Sequence, residues 1–340
     1  MLIANFGISL AYISYSYHSC LFSLSADDYF CSGIEAAKKW TASNGLPSER
    51  VVILAPRFME KVDAPGSGTL WWNNTELEAR GIWRGGADSD PRADPTGKHR
   101  VVSSFTALDV LIESLLAGKK AGRLPMLSRI ALAGHSSGGQ IIQRHALFTR
   151  IDEAAARLDS TLNVSIRHLP ANPSSYCSLD GKRVDAKSGA VATPSASFVA
   201  HCAGYNSWHF GTDAERWPLP PRCASFPGGT KAAVALFATR TMKYMQGGND
   251  TCACNQERGQ YENVRDDPCT CESHGLETTC SDEIGGSYRL MRGRNYWKTL
   301  GEVYGGAQPP SHSLSVVPNV GHDHTLLWQS TEGIAAIFGA

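Results

Sequence analysis

The chain has 340 residues, of which 42% are hydrophobic and 19% charged, and its 32 Lys and Arg balance its 32 Asp and Glu. A chain of this size and apolar content can bury a sizeable core within one large domain. A net charge of zero, without a dense run of Lys or Arg, argues against nucleic acid or an anionic membrane surface as partner.

The first 25 residues are apolar and aromatic, but they contain no Lys or Arg. Small residues at 23–26 fit a signal-peptide cleavage site, whereas the missing positive charge does not. Polar residues such as Asn5 and His18 interrupt the run, so we expect no stable membrane span here. Residues 1–25 are therefore predicted to form either a signal peptide or an altered first strand.

Beyond residue 25, short apolar runs alternate with segments whose apolar residues recur at helical spacing. Strands are predicted at 50–57, 128–134, 163–169, 242–246 and 314–318. Helices are predicted at 26–44, 103–118, 139–149, 286–303 and 324–337. This alternation predicts an α/β fold with a mostly parallel central sheet flanked by helices, in a single domain over 26–340.

Two segments depart from the alternation. Residues 171–229 are irregular and rich in Pro, Cys and aromatic residues, which predicts a cap over the sheet edge. Residues 251–283 carry five of the ten cysteines and read as a Cys-rich insertion. An even number of cysteines, most of them in predicted loops, favours disulfides and an oxidising compartment. Their CxC spacing does not suit a structural zinc site, so we expect no metal.

Glycosylation triplets begin at Asn73, Asn163 and Asn249. Such triplets are used only in secreted or surface proteins, so they agree with the cysteine content. The sequence thus predicts a secreted, disulfide-bonded glycoprotein. A glycan on Asn249 would crowd the neighbouring Asp250, which is also the predicted catalytic acid.

The segment Gly134-His135-Ser136-Ser137-Gly138 fits the G-x-S-x-G pattern of a nucleophile elbow. A predicted strand precedes it and a predicted helix follows it, as a sharp strand-to-helix turn requires. The motif predicts Ser136 as nucleophile, with the backbone N–H of Ser137 facing the oxyanion. The alternative is a tight glycine-rich turn whose Ser caps the helix.

A serine nucleophile needs a base and an acid, which in this class of fold follow the nucleophile in chain order. His322 lies in a loop after the last predicted strand, and we prefer it to His324, which begins the final helix. Asp250 ends a Gly-Gly-Asn-Asp turn after the strand at 242–246, and we predict it as the acid. Alternative acids inside the insertion are Asp266, Asp267 and Asp282.

Several further segments resemble a family of uncharacterised α/β hydrolases, predicted to be secreted serine hydrolases of eukaryotic microbes. They are Asp27-Asp28-Tyr29-Phe30, Ala55-Pro56-Arg57-Phe58, Ser103-Ser104-Phe105, the elbow with Gln140, Asn172-Pro-Ser-Ser-Tyr176, Tyr205-Asn206-Ser-Trp208 and GGNDT at 247–251. The resemblance spans about 26–338 and implies an α/β-hydrolase fold with Ser136, Asp250 and His322 as the catalytic triad. It says little about the substrate.

The family pattern also implies a strand that ends in His-Gly before the first helix, with a loop that supplies a second oxyanion N–H. Residues 16–25 contain no His-Gly, so the second donor is unknown. Loss of one oxyanion donor can cost about 10²–10³ in rate.

Together these features predict a carboxylic-ester hydrolase (EC 3.1.1 class) that works through an acyl-enzyme and needs no metal or organic cofactor. Its partner would be a small-molecule or lipid-like ester, and Tyr205 and Trp208 would line the substrate cleft or, alternatively, pack in the cap. Amide or thioester hydrolysis uses the same machinery. A non-catalytic binding protein on the same scaffold is the rival from another class, motivated by the missing His-Gly.

Overall fold

The computed structural model describes residues 2–4, 26–47, 50–66, 68–72, 82–94, 96–213, 217–255, 260–263, 276–277 and 279–339. Within these residues the central sheet has five strands: β1 (Leu2–Ala4), β4 (Arg129–His135), β5 (Ser165–Ala171), β8 (Thr241–Gly247) and β11 (His312–Val317). They are ordered β1-β4-β5-β8-β11, and every neighbouring pair is parallel. The predicted mostly parallel sheet is therefore confirmed.

Short strand pairs lie outside the central sheet. They are β2 (Met59–Glu60) with β3 (Trp71–Trp72), β6 (Arg183–Val184) with β7 (Val191–Ala192), and β9 (Cys252–Asn255) with β10 (Gln260–Asn263). The longer helices are α1 (Ala26–Ser43), α2 (Ser104–Lys120), α3 (Ser137–Phe148), α4 (Ile151–Leu158), α7 (Gly229–Phe237), α9 (Arg289–Val303) and α11 (Thr331–Phe338). Shorter ones are α5 (Ala196–His201), α6 (Pro221–Ala224), α8 (Cys280–Glu283) and α10 (His324–Gln329).

The helices cover both faces of the sheet, because successive residues of a strand point to opposite sides. On β4, Ile130 and Leu132 join a cluster that includes core residues of α2, α3, α7 and α9. Ala131 and Ala133 face the other way, toward a cluster with core residues of α1, α10 and α11. This two-sided burial explains the unbroken apolar run that predicted the strand.

The predicted strand at 50–57 is wrong. Only Leu54 forms a single β-bridge there, and the rest of the segment has no regular strand. Ile53 joins the cluster on one face of the sheet and Leu54 packs against the cluster on the other, whereas Val52 is 43% exposed. The predicted helix at 324–337 is two helices, because Ser330 is extended and caps α11 through a hydrogen bond from Gly333 N to Ser330 Oγ of 2.9 Å.

The prediction for residues 1–25, a signal peptide or an altered first strand, can be compared with the structure only at residues 2–4. Leu2–Ala4 pairs with Leu132–Gly134 at the edge of the sheet, where a first strand would lie. Residues 5–25, on which the signal-peptide alternative also depends, lie outside the described residues. In the part of the chain that is described, no helix combines the length and the apolar character that a bilayer crossing needs.

A disulfide joins the two irregular segments of the chain. Cys202, which follows α5, is bonded to Cys280 at the start of α8. Cys31 and Cys252 are also disulfide-bonded, whereas Cys177 and Cys223 are buried free thiols. The prediction of disulfides is thus confirmed for four of the cysteines. Most of the predicted insertion lies outside the described residues, and the division into cap and insertion stays a prediction.

Candidate active site

Ser136 lies on a tight turn between β4 and α3, with φ 56° and ψ −118°. A positive φ is strained for a residue with a side chain, and such strain is held only where the surroundings fix it. Here Ser136 N donates to Ala171 O at 2.9 Å, and Ser136 O accepts from Gln140 N at 3.1 Å. The turn leaves Ser136 partly exposed at the carboxyl edge of the sheet.

Gly134 of the motif and Gly139, which directly follows it, are required by close backbone approaches. A Cβ at Gly134 would lie 2.1 Å from Gly138 O, and one at Gly139 would lie 2.6 Å from Ala171 O. Both distances are far below van der Waals contact, so only glycine fits. The sequence pattern therefore follows from the need to bring β4, α3 and the end of β5 together around Ser136.

Ser137 is the first residue of α3, and the first N–H groups of a helix have no acceptor within it. Among the described residues, no hydrogen bond uses the Ser137 N–H. The helix dipole also favours negative charge at this end. The predicted position of this N–H beside Ser136 is therefore compatible with an oxyanion, while the loop expected to hold a second donor lies outside the described residues.

Asp250 and His322 follow β8 and β11, so both reach the same edge of the sheet as Ser136. His322 Nδ1 donates to Asp250 Oδ2 at 2.8 Å. The Asp250 side chain is 1% exposed and that of His322 is 10% exposed, so this contact is shielded from water. The hydrogen bond places the proton on Nδ1, and in that tautomer Nε2 carries the lone pair that can accept a proton.

The two loops that carry this pair are held to each other by their backbones. Gly248 N donates to Val317 O at 2.7 Å, and Asn249 N donates to Val320 O at 2.8 Å. A Cβ at Gly247 would lie 2.4 Å from Gly321 O, so the approach depends on that glycine. The Gly-Gly-Asn-Asp turn is thus a packing element of the site as well as a turn.

The ring of His322 also packs against His135, the residue before Ser136, with ring centroids 4.4 Å apart. This contact places His322 next to the turn that carries Ser136. In the described part of the chain, Ser136 Oγ makes no hydrogen bond to His322. Catalytic hydrogen bonds are often long in ligand-free proteins and tighten when substrate binds.

His324, the alternative candidate for the base, contacts α1. Its ring stacks on Tyr29 with centroids 3.9 Å apart, and its Nε2 lies 3.6 Å from Asp28 Oδ2. Burial lowers the pKa of His324, with Asp28 opposing that effect. His324 therefore packs against α1, and its carboxylate neighbour is Asp28 and not Asp250.

Of the alternative acids, Asp266 and Asp267 lie outside the described residues. Asp282 is described, and it contacts Thr279 and, at 4.0 Å, Arg292. Burial and the neighbouring Glu277 raise the pKa of Asp282 to about 7. No histidine among the described residues is paired with Asp282, whereas His322 is hydrogen-bonded to Asp250.

Arg289, which is not among the predicted site residues, lies at the start of α9. Its Nη1 is 3.9 Å from Asp250 Oδ1, and both side chains are 1% exposed. A buried guanidinium near the carboxylate favours its ionised form, which the acid of a triad requires. No motif marks this arginine, because its role depends on where α9 begins relative to β8.

Tyr205 and Trp208, for which we predicted either a place in the substrate cleft or packing in the cap, both have buried side chains. Trp208 is 3% exposed and its Nε1 donates to Gly85 O at 2.9 Å. Tyr205 is 9% exposed, and its hydroxyl donates to Gly181 O at 3.0 Å while its ring lies under Arg183. Both residues therefore act as packing residues of the irregular segment.

No group of three or more His, Cys, Asp or Glu able to hold a metal ion occurs among the residues that the structure describes. The polar groups of the site are the Ser136 hydroxyl and the hydrogen-bonded His322 imidazole and Asp250 carboxylate, with the Arg289 guanidinium near that carboxylate. This set suits nucleophilic and acid–base chemistry.

No protein-family model matches this chain, and no curated protein matches it. Two solved structures are similar over nearly its whole length. The poly(3-hydroxybutyrate) depolymerase LpqC from Bordetella parapertussis has a TM-score of 0.50 and 15% identity, covering 98% of this chain and 78% of that one. Poly(aspartic acid) hydrolase-1 from Sphingomonas sp. KT-1 has a TM-score of 0.50 and 17% identity, covering 97% and 85%.

At this level of identity the likeness is one of fold. Together with the parallel sheet and its flanking helices, it confirms the predicted α/β-hydrolase fold. The narrower resemblance to secreted hydrolases of eukaryotic microbes stays a prediction.

Proposed function

We propose that this protein is a serine hydrolase that cleaves carboxylic esters through an acyl-enzyme, with Ser136, Asp250 and His322 as its triad. The observation that carries the proposal is the buried 2.8 Å hydrogen bond from His322 Nδ1 to Asp250 Oδ2, beside the strained turn of Ser136. Two solved structures of similar fold are hydrolases of a polyester and a poly(amino acid), which agrees with this class of reaction.

In this scheme His322 Nε2 takes the proton of Ser136 Oγ as the oxygen attacks the substrate carbonyl carbon. The carbonyl π electrons move to its oxygen, and the Ser137 N–H stabilises the oxyanion. When the tetrahedral intermediate collapses, the bond to the alcohol oxygen breaks and the imidazolium returns the proton to that oxygen. The acyl group remains on Ser136.

Deacylation repeats these steps with water. His322 takes a proton from the water that attacks the acyl carbon, and it returns the proton to Ser136 Oγ as the acid product leaves. Asp250 stabilises the imidazolium in both halves and keeps the ring in the tautomer whose Nε2 is unprotonated. No metal or organic cofactor is needed for either half.

Amide or thioester cleavage would use the same groups and differ only in the leaving atom. The substrate we propose is a small or lipid-like ester. The disulfide-bonded cysteines of this chain favour a secreted protein, because disulfides persist in oxidising compartments. The exposed Asn163 triplet is compatible with a glycan.

A non-catalytic binding protein on this scaffold is the second candidate. It is favoured by the unassigned second oxyanion donor, since losing one donor costs about 10²–10³ in rate. The two candidates differ in whether the Ser136 hydroxyl is activated.

The test is hydrolysis of matched p-nitrophenyl esters of increasing acyl length, beside the corresponding anilides and thioesters. We expect the wild type to release p-nitrophenol with a burst, and Ser136→Ala to lose about 10⁶-fold in kcat. Ser114→Ala, which removes an exposed hydroxyl on α2, is the matched control and should keep full activity. A wild type without turnover on any of these substrates would favour the binding protein.

A further inference from the structure

Asn172 is the residue that directly follows β5, at the same edge of the sheet as the proposed triad. It is fully buried, with 0% of its surface exposed, and its φ is 42°. Asparagine is one of the few residues with a side chain that visits this left-handed region. Its backbone N donates to Met245 O at 3.0 Å, which fixes it against β8.

The Asn172 carboxamide contacts the last residues of β8 and β4 and the loop after β11. Oδ1 accepts from Gly247 N at 2.8 Å, and Nδ2 donates to Gly321 O at 3.3 Å. Nδ2 also lies 3.4 Å from His135 Nε2. The orientation of the carboxamide is set by its partners, because a backbone N–H needs an acceptor and a carbonyl needs a donor.

Each of these contacts adjoins one member of the proposed triad. His135 precedes Ser136, and Gly321 precedes His322. Gly247 O accepts from Asp250 N at 3.1 Å, so it belongs to the turn that carries the acid. One buried side chain therefore joins the nucleophile turn, the acid turn and the base loop.

We propose that Asn172 is a positioning residue that holds the three loops in the register at which His322 meets both Asp250 and Ser136. This inference rests on the proposed function, because it assigns Asn172 a role toward that triad. Asn172 touches no reacting atom, so it acts through the loops and through His135.

His135 carries part of this role. If Asn172 Nδ2 donates to its Nε2, then His135 Nδ1–H faces Tyr29 Oη, which lies 3.4 Å away. A protonated ring would direct an N–H against the Asn172 amide. Burial, with nearby His322, His324 and Arg289, also lowers the pKa of His135 well below its usual value. A neutral His135 therefore packs against the His322 ring without opposing the charge that His322 gains.

The main variant is Asn172→Gly, because glycine adopts a positive φ without strain and only the side-chain contacts are lost. Asn163→Gly is the matched control, since Asn163 has a φ of 44° but is exposed and lies before β5, away from the site. If Asn172→Gly does not fold, Asn172→Asp keeps the acceptor for Gly247 N and loses the donor to Gly321 O, and it tests the same point.

Two readouts separate positioning from plain stability. We expect Asn172→Gly to lower kcat about 10²-fold with little change in KM, as a misplaced catalytic group does. We also expect the low-field proton resonance of the His322 Nδ1–H to Asp250 hydrogen bond to broaden or disappear, while circular dichroism keeps its folded spectrum. Asn163→Gly should leave both readouts as in the wild type. Asn172→Asp should lie between the wild type and Asn172→Gly.

The resonance needs no substrate, so it also separates this inference from the proposed function. A folded Asn172→Gly that keeps both the resonance and a kcat within threefold of the wild type would overturn the positioning role. A wild type that shows the resonance but hydrolyses nothing would overturn the proposed function, while loss of the resonance in Asn172→Gly would still support the positioning role of Asn172.

Discussion

Replacing Asp250 by Asn tests the acid of the proposed triad with almost no change in side-chain shape. In the protein, His322 Nδ1 donates to Asp250 Oδ2 at 2.8 Å, and the carboxylate is 1% exposed. An Asn side chain turned to offer its amide nitrogen would favour the other tautomer of His322, with the proton on Nε2. The base would then lack its lone pair where Ser136 needs it.

The magnitude follows from the charge that Asp250 provides to the imidazolium. At 2.8 Å and an effective dielectric constant of about 20, a unit charge pair interacts by about 6 kcal/mol. At 1.36 kcal/mol for each factor of ten, this corresponds to about 10⁴ in rate. Neutralising Asp250 also removes a carboxylate 3.9 Å from the buried Arg289 guanidinium, so we expect a lower melting temperature.

The assay is kcat on the best p-nitrophenyl ester, at a temperature where circular dichroism shows the variant folded. Asp323→Asn is the matched control, because Asp323 is next to His322 in the chain but caps α10 through Leu326 N, at 2.9 Å. Asparagine caps equally well, so that variant should keep its activity. A folded Asp250→Asn with kcat within tenfold of the wild type would refute the assignment of Asp250.

Three further predictions concern the framework of the site. Gly134→Ala should abolish activity and lower the free energy of unfolding by about 2–3 kcal/mol, because the added Cβ would lie 2.1 Å from Gly138 O. Ester hydrolysis measures the loss of activity, and unfolding in urea measures the loss of stability. The double variant of Cys202→Ser with Cys280→Ser should lower the free energy of unfolding by about 4 kcal/mol, because the disulfide closes a loop with a sequence separation of 78. The free energy of unfolding, measured in urea, should fall by at least about 2 kcal/mol from pH 7 to pH 5.

The sign of the pH prediction follows from histidines whose pKa values lie below 6.5 in the folded protein. Burial lowers the pKa of His312 to about 4. Burial also lowers the pKa values of four other histidines, which are His135, His168, His209 and His324. In the unfolded chain these groups take up protons near pH 6.5, so stability is present above that pH and is lost below it. Asp282, whose pKa is raised to about 7, acts in the opposite direction but is a single group.

Each of these predictions has a contrary outcome. For the glycine, Gly66→Ala is the control, because its added Cβ meets nothing nearer than 4.0 Å; equal effects at both positions would contradict the steric argument. A double serine variant as stable as the wild type would remove the constraint assigned to the disulfide. Stability that stays level or rises from pH 7 to pH 5 would contradict the neutral, buried state of the histidines.

Sequence patterns gave reliable predictions where the physics is local. The apolar run of β4 is buried on both faces, and its junction with α3 is fixed by glycines that the backbone itself requires. The alternation of strands and helices sets the parallel sheet, and parallel strands bring their carboxyl ends to one edge. His322 and Asp250 could therefore be selected by their positions after β11 and β8, and they are hydrogen-bonded in the structure.

The remaining features depend on contacts between distant segments. The strand β5 ends at Ala171, two residues later than predicted, so Asn172 was not seen as a strand-end residue. The only signal for Asn172 was its place in a segment that resembles the hydrolase family. Arg289 had no signal at all. An aromatic residue in an irregular segment, such as Trp208, gives no indication of whether it faces a cleft or the core, so the sequence left both alternatives open.

The most direct test of the activated serine is labelling with a fluorophosphonate, read by intact mass and by the labelled peptide. The wild type should gain one adduct on the peptide that contains Ser136, whereas Ser136→Ala and His322→Ala should gain none. His324→Ala, which changes a histidine outside the hydrogen bond to Asp250, should label like the wild type. A well-folded wild type that does not label, or labelling that persists in Ser136→Ala, would contradict the account.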